Sequence, residues 1–304
     1  MNFWRPFVLT SALLMSLADG QDAQHGRHSF FDYSPTVTNL TRKPVSVPVE
    51  VHQEAKIFLV RAKVGKNLEG RFLVDTGSAQ TFVTPAFAQK IRAEFSTSRG
   101  QGRGTEPTIG VSQMLHVPLL ALGAMQYENF VVTTMSLDHL SKPLKTQLDG
   151  IIGGDLLFAR RFTISTASRR LIFDVPEPVG VKPVIGAGGW MVGVPVTLDG
   201  QTKLFLLDSG ASRSVLPDRE WKGAVVDTGR VMRGDYAETV VGLKTCTAVI
   251  KDVRVGETPL PWLKLTLTEN NKRLLGADFI SHFLLTIDAE YGKVWLQPPS
   301  AFAQ

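Results

Sequence analysis

Two short stretches carry the residue types that chemistry needs. Arg71-Phe72-Leu73-Val74 runs into Asp75-Thr76-Gly77-Ser78, and Leu204-Phe205-Leu206-Leu207 runs into Asp208-Ser209-Gly210-Ala211, 133 residues later (75 to 208). One Asp-[Ser/Thr]-Gly-[Ser/Ala] match is expected by chance in roughly 2% of chains this long, so two are improbable as accident. A carboxylate at the end of an apolar strand also makes poor packing, because burying an unpaired charge is costly. Two such carboxylates facing each other cannot both ionise cheaply, so they share a proton over a wide pH range. That pair suits amide hydrolysis: one member takes a proton from water while the other donates to the carbonyl. Thr76 and Ser209 each supply a hydroxyl able to hold the two loops in register. Gly77 and Gly210 permit a tight turn and close approach of backbone amides.

The elements that must position these residues recur with them. Met191 to Leu198 follows the pattern of Ile57 to Val64, and Val253-Arg-Val255-Gly256 that of Leu120-Ala-Leu122-Gly123, at the same offset of 133 (123 to 256). Leu274-Leu275-Gly276-Ala277-Asp278 matches Ile151-Ile152-Gly153-Gly154-Asp155, and Leu285-Thr286-Ile287 matches Phe162-Thr163-Ile164, at an offset of 123 (153 to 276). The first copy therefore holds ten extra residues (133 less 123) between Gly123 and Gly153. The pattern predicts a mostly β chain of two pseudo-twofold-related, barrel-like lobes with short helices. The N-terminal lobe spans 45–173, a Pro- and Gly-rich linker 174–189, and the C-terminal lobe 190–304. Alternating Val45, Val47, Val49 and Val51 read as a strand, with Pro48 pointing to a sheet edge. Thr84-Pro85 reads as a helix start, and Asp155 and Asp278 as caps of the helices beginning beside them.

The N-terminus has the form of a signal peptide over residues 1–20: Arg5, an apolar run from Phe7 to Ala18, then small and polar residues. Twelve apolar residues are too few to cross a hydrocarbon core of ~30 Å, so no membrane span is expected in the mature chain. Residues 21–44 read as a polar leader. Cys246 is the single cysteine, which excludes an internal disulfide and suits export to a bacterial periplasm or the medium. The 33 basic and 28 acidic residues are not clustered, so no nucleic-acid partner is expected. The six histidines show no metal-ligand spacing, and no metal or other cofactor is expected. Arg99-Gly-Gln-Gly-Arg-Gly104 lacks the Lys-Ser/Thr of a phosphate loop and reads as a flexible loop.

Over about residues 45–298 the two Asp motifs and their later apolar-apolar-Gly elements resemble the aspartic protease superfamily. Asp149-Gly-Ile-Ile-Gly153 resembles the pepsin-like first-lobe element. The small lobes and the Leu-Gly-Ala-Asp-Phe-Ile wording are more similar to retropepsin-like units in tandem. The resemblance implies an endopeptidase with Asp75 and Asp208 as the catalytic pair, supported by Thr76, Gly77, Ser78, Ser209 and Gly210. A protein or peptide would be the substrate, and one chain suffices for a complete site. Ser78 would hydrogen-bond its aspartate while Ala211 cannot, which makes Asp75 the more readily ionised member. Thr108-Ile-Gly-Val111 and Val240-Val-Gly-Leu243 are the candidate flap hairpins; Tyr236 lies in the second, and no tyrosine lies between 79 and 126. Two other readings share the fold: a silent peptide-binding or regulatory module, and a narrow processing peptidase.

Overall fold

The computed structural model describes residues 35–96, 113–186, 191–229 and 245–298. The expected signal peptide, the Arg99–Gly104 run, both candidate flap segments and Tyr236 lie outside the described residues.

The first lobe begins with β1 (Thr36–Asn39) and β2 (Val45–Val51), followed by the hairpin of β3 (Phe58–Val64) and β4 (Leu68–Val74). Then come β5 (Phe82–Val83), α1 (Pro85–Ser96), and a second hairpin of β6 (Met114–Leu122) and β7 (Met125–Thr134). The lobe ends with α2 (Asp138–Leu144), β8 (Gly150–Ile152), α3 (Gly154–Leu157), and the hairpin of β9 (Phe162–Ser165) and β10 (Arg170–Phe173). The expected helix start holds. Pro85 occupies the first position, and the Thr84 hydroxyl accepts the Phe87 amide at 3.2 Å, pairing one of the donors left over at a helix start.

The second lobe repeats the plan. After β11 (Val184–Ile185) come β12 (Gly193–Leu198) and β13 (Gln201–Leu207), joined through Asp199 and Gly200, both in the left-handed region that a two-residue hairpin turn requires. Then follow β14 (Val215–Pro217), β15 (Asp227–Thr228), β16 (Cys246–Val255), β17 (Thr258–Thr268), β18 (Leu274–Leu275), α4 (Ala277–Ile280), β19 (Leu284–Asp288) and β20 (Lys293–Gln297). Where the first lobe has α1, the second has one turn of 3-10 helix, Asp218–Glu220.

Each lobe closes into a six-stranded barrel. In the first, the ring runs β3-β4-β8-β5-β7-β6 and returns to β3; in the second, β12-β13-β18-β14-β17-β16 returns to β12. Closure removes free sheet edges, and the inward residues of each strand fill the interior. The same alternation holds in β2 beside the first barrel, where Val45, Val47 and Val49 are buried and Ser46, Pro48 and Glu50 exposed, as read from sequence. Each fully buried valine contributes on the order of 1.5–3 kcal/mol.

A shared sheet, β2-β10-β9-β19-β20-β11, ties the barrels together. Its centre is self-complementary. Thr163 of β9 stands opposite Thr286 of β19, and their hydroxyls hydrogen-bond at 2.7 Å. Because these threonines are equivalents in the repeat, the pseudo-twofold axis passes between them. Beside it, the Arg161 guanidinium donates to Asp288 at 2.6 and 2.7 Å, an ion pair crossing from one lobe to the other.

Three expectations are corrected. Among the described residues the first strand is Thr36–Asn39 and not the one at Val45, because β1 pairs with β7 along the half of that strand that β5 leaves free. Pro48 does not mark an edge: β2 pairs with β10 through Val45–Pro48 and with β3 from Val49 on, so the proline sits where the strand changes partners. The 174–189 stretch is not wholly a linker, since Val184 and Ile185 form β11 against β20. The ten extra residues of the first copy lie where α2 forms. Its Leu140 and Leu144 pack with Leu59, Leu73 and Ile151 on the outer side of the barrel.

Candidate active site

β4 delivers Asp75 and β13 delivers Asp208, each at the point where its strand leaves the barrel. Each strand lies parallel to the later apolar element of its own lobe: Leu73 opposite Ile151 with Val74 opposite Ile152, and Leu206 opposite Leu274 with Leu207 opposite Leu275. The pairing continues one residue further, as the Asp75 amide donates to the Ile152 carbonyl and the Asp208 amide to Leu275, both at 3.0 Å. The apolar runs before each aspartate are therefore barrel core. Their burial fixes where the carboxylates emerge.

The glycine that ends each apolar element is required by close approach. A Cβ on Gly153 would strike the backbone of Gln80, and one on Gly276 the backbone of Arg213. Helix starts press on the same loops: the Gly154 amide donates to the Ser78 carbonyl and the Ala277 amide to Ala211, both at 2.7 Å.

Thr76 and Ser209, both fully buried, lock the two loops together. The Thr76 hydroxyl donates to the Leu207 carbonyl at 2.8 Å and accepts the Ser209 amide at 3.0 Å. The Ser209 hydroxyl donates to Val74 at 2.7 Å and accepts the Thr76 amide at 3.1 Å. Four hydrogen bonds thus cross between lobes, two from each side, and the loss of a methyl from threonine to serine leaves the lock intact.

The lock brings the carboxyls together. A Cβ on Gly77 would land on the Asp208 carboxyl, and one on Gly210 on that of Asp75. No side chain larger than hydrogen fits at either position. The two carboxyls are within hydrogen-bonding reach of each other. Burial is the largest influence on both and pushes both pKa values up, as desolvation does to any carboxylate.

The hydrogen bond expected from Ser78 is not made: its hydroxyl donates to the Gln80 carbonyl at 2.8 Å and so does not give its proton to Asp75. Asp75 accepts the Gly77 amide at 2.9 Å, and the Ser78 amide also favours its ionised form, while Asp208's charge and hydrogen bond push its pKa up. Asp208 Oδ1 accepts two amides, Ala211 at 2.9 Å and Gly210 at 3.0 Å, and the positive charge of Lys272 further favours its ionised form. With both carboxyls pushed up, the pair shares a proton.

Asp155 and Asp278 each accept a first-turn amide of the helix they stand in, Leu156 at 2.9 Å and Phe279 at 2.8 Å, as the expected capping requires, and they have a further role. Asp155 accepts the Thr81 hydroxyl at 2.6 Å and the Thr81 amide at 3.0 Å; Asp278 accepts the Ser214 hydroxyl at 2.7 Å and its amide at 2.8 Å. Thr81 and Ser214 then accept the amides of Gly153 and Gly276 at 3.1 and 3.0 Å. Each aspartate thus ties the far end of its Asp loop to the glycine behind it. Burial raises both, Asp155 to about 6. Thr81 and Ser214 were missed in the sequence, although they too stand 133 residues apart (81 to 214).

Among the described residues no helix is long and apolar enough to cross a membrane. The chain matches the family model described as aspartyl protease over residues 60–156 and again over 194–279, one match per lobe. No curated protein matches the chain.

Proposed function

The chain belongs to the aspartyl protease family, and we propose that it is an active endopeptidase whose catalytic pair is Asp75 and Asp208. The observation that carries this reading is the facing, part-buried carboxyl pair, each carboxyl packed on the other loop's glycine and cross-locked through Thr76 and Ser209. Both carboxyls, both hydroxyls and both glycines needed for close approach are in place.

In this reading Asp208 is the charged member: it accepts a proton from a water held between the carboxyls, and the water oxygen attacks the peptide carbonyl carbon. Asp75 gives its proton to the carbonyl oxygen, so the tetrahedral intermediate forms without a full negative charge. Asp208 then gives its proton to the leaving nitrogen while Asp75 takes one from a hydroxyl of the intermediate; the C–N bond breaks, releasing acid and amine and restoring the singly protonated pair. One chain provides both halves. On the strength of Arg5 and the apolar run Phe7–Ala18, the protein acts after export, in a periplasm or outside the cell.

The test is incubation of the purified protein with a mixed peptide library from acid to neutral pH. Cleavage is expected, and Asp75→Asn, Asp208→Asn or a transition-state inhibitor of aspartic proteases should abolish it. Peptide binding without cleavage at every pH would replace this reading with that of a silent binding module.

A further inference from the structure

We propose that the first lobe carries a second binding site, separate from the dyad, for a small ligand bearing an oxyanion, in the groove beside the point where β2 leaves β10 for β3. The groove encloses about 330 Å³, and its lining includes Arg61, Arg71, Arg169 and Glu50. That volume lies at the small end of ligand pockets and exceeds what a bare ion fills.

The arrangement of charge is what asks for a ligand. Arg61 and Arg71 are directly opposed on the antiparallel β3–β4 hairpin. Side chains opposed in this way share a face of the sheet, and like charges so placed are destabilising. Two neighbouring carboxylates offset part of this repulsion as ion pairs, Glu69 at 3.9 Å from Arg61 and Glu50 at 3.6 Å from Arg71, but both lie beyond hydrogen-bond length. Asp149 is turned to another task, accepting the Arg71 backbone amide at 2.9 Å. Arg169 supplies the third guanidinium from the β9–β10 turn, where its carbonyl accepts the Val49 amide at 3.0 Å and fixes its backbone at the groove.

A second observation points the same way. The Nε of Arg71 is buried and has no hydrogen-bond partner. Buried donors are nearly always paired, so the unpaired Nε marks Arg71, a lining residue of the groove, as a side chain whose hydrogen bonding is incomplete. Planar guanidinium forks match phosphate and carboxylate oxygens in a bidentate manner. Three of them against one lining carboxylate fit a phosphomonoester or a polycarboxylate. Arg71 precedes Asp75 by four residues of extended chain, about 13 Å. The groove is therefore distinct from the dyad, and its occupancy does not depend on whether the dyad cleaves peptides.

Isothermal titration of the full chain with inorganic phosphate and, separately, citrate tests this, with ionic strength held constant by potassium chloride. Saturable one-to-one binding is expected. Arg71→Gln and Arg169→Gln should each weaken it about tenfold or more, while an inhibitor bound at the dyad leaves it unchanged. Phosphate binding alone assigns a phosphomonoester site, and citrate binding alone a polycarboxylate site. Arg169 lies on an exposed turn, so its variant remains informative if Arg71→Gln does not fold. No saturation by either anion up to about 10 mM, or wild-type affinity in Arg169→Gln, overturns the proposal.

Discussion

Replacing Thr76 by valine keeps its volume and removes one hydroxyl, which isolates the contribution of the interlobe lock. That hydroxyl serves two backbone groups of the other lobe, the Leu207 carbonyl and the Ser209 amide, at 2.8 and 3.0 Å. Thr76 is fully buried, so water does not replace the lost bonds. Each buried backbone group left without a partner costs about 1–3 kcal/mol, so Thr76→Val should lose about 3–4 kcal/mol. Thr76→Ser keeps both bonds and loses one methyl, about 1 kcal/mol. Urea unfolding followed by tryptophan fluorescence and far-UV circular dichroism measures both variants. If the dyad cleaves peptides, kcat should follow the same order, because the lock sets where the carboxyls meet. Equal losses of stability in the two variants would refute the reasoning, since the hydroxyl would then carry no more than the methyl.

Removing the positive charge at Lys272 with methionine should raise the pKa of Asp208 and move the acid limb of the kcat/KM profile to higher pH; an unmoved limb removes that charge from the account. Burial holds Asp155 at about 6 in the folded chain against 3.8 unfolded. The folded state therefore binds more protons between those values, and its stability falls as pH rises through that window, by on the order of 3 kcal/mol. Asp155→Asn should flatten this part of the stability–pH curve, and a curve of unchanged slope would contradict the assignment. The Tyr127 hydroxyl is fully buried and has no hydrogen-bond partner. Tyr127→Phe should accordingly raise stability by about 1 kcal/mol in thermal or urea unfolding, and a loss of that size would mean the hydroxyl is satisfied.

Much of this molecule was legible because the chain states its plan twice. The offset of 133 residues joins Thr76 to Ser209, and the structure pairs them by two hydrogen bonds, with one more from each hydroxyl to the other lobe's backbone. The offset of 123 joins Thr163 to Thr286, and the structure places those threonines on the pseudo-twofold axis. Repetition makes long-range contacts readable, since symmetry requires equivalent residues to meet or to take equivalent places. Gly153 and Gly276 were legible too, as the ends of apolar runs.

What the sequence could not decide is where a short polar side chain turns once it is placed. Ser78 has the residue type for a bond to Asp75, yet its proton goes to Gln80, two residues away, because the loop geometry brings that carbonyl within 2.8 Å. The surroundings of the two carboxyls are set instead by amides and a lysine whose directions depend on the folded backbone. Asp155 and Asp278 serve their helix starts as expected, but the loop returning from each catalytic-motif aspartate also offers them Thr81 and Ser214, which no local pattern announces. Pairing partners fixed the remaining differences: β1 forms because half of β7 is open, and Pro48 is tolerated because β2 changes neighbours there. The sequence alone determined that two carboxylates stand on two equivalent strands. Only the closure of both barrels around a common axis determined that the two carboxyls meet and share one buried setting.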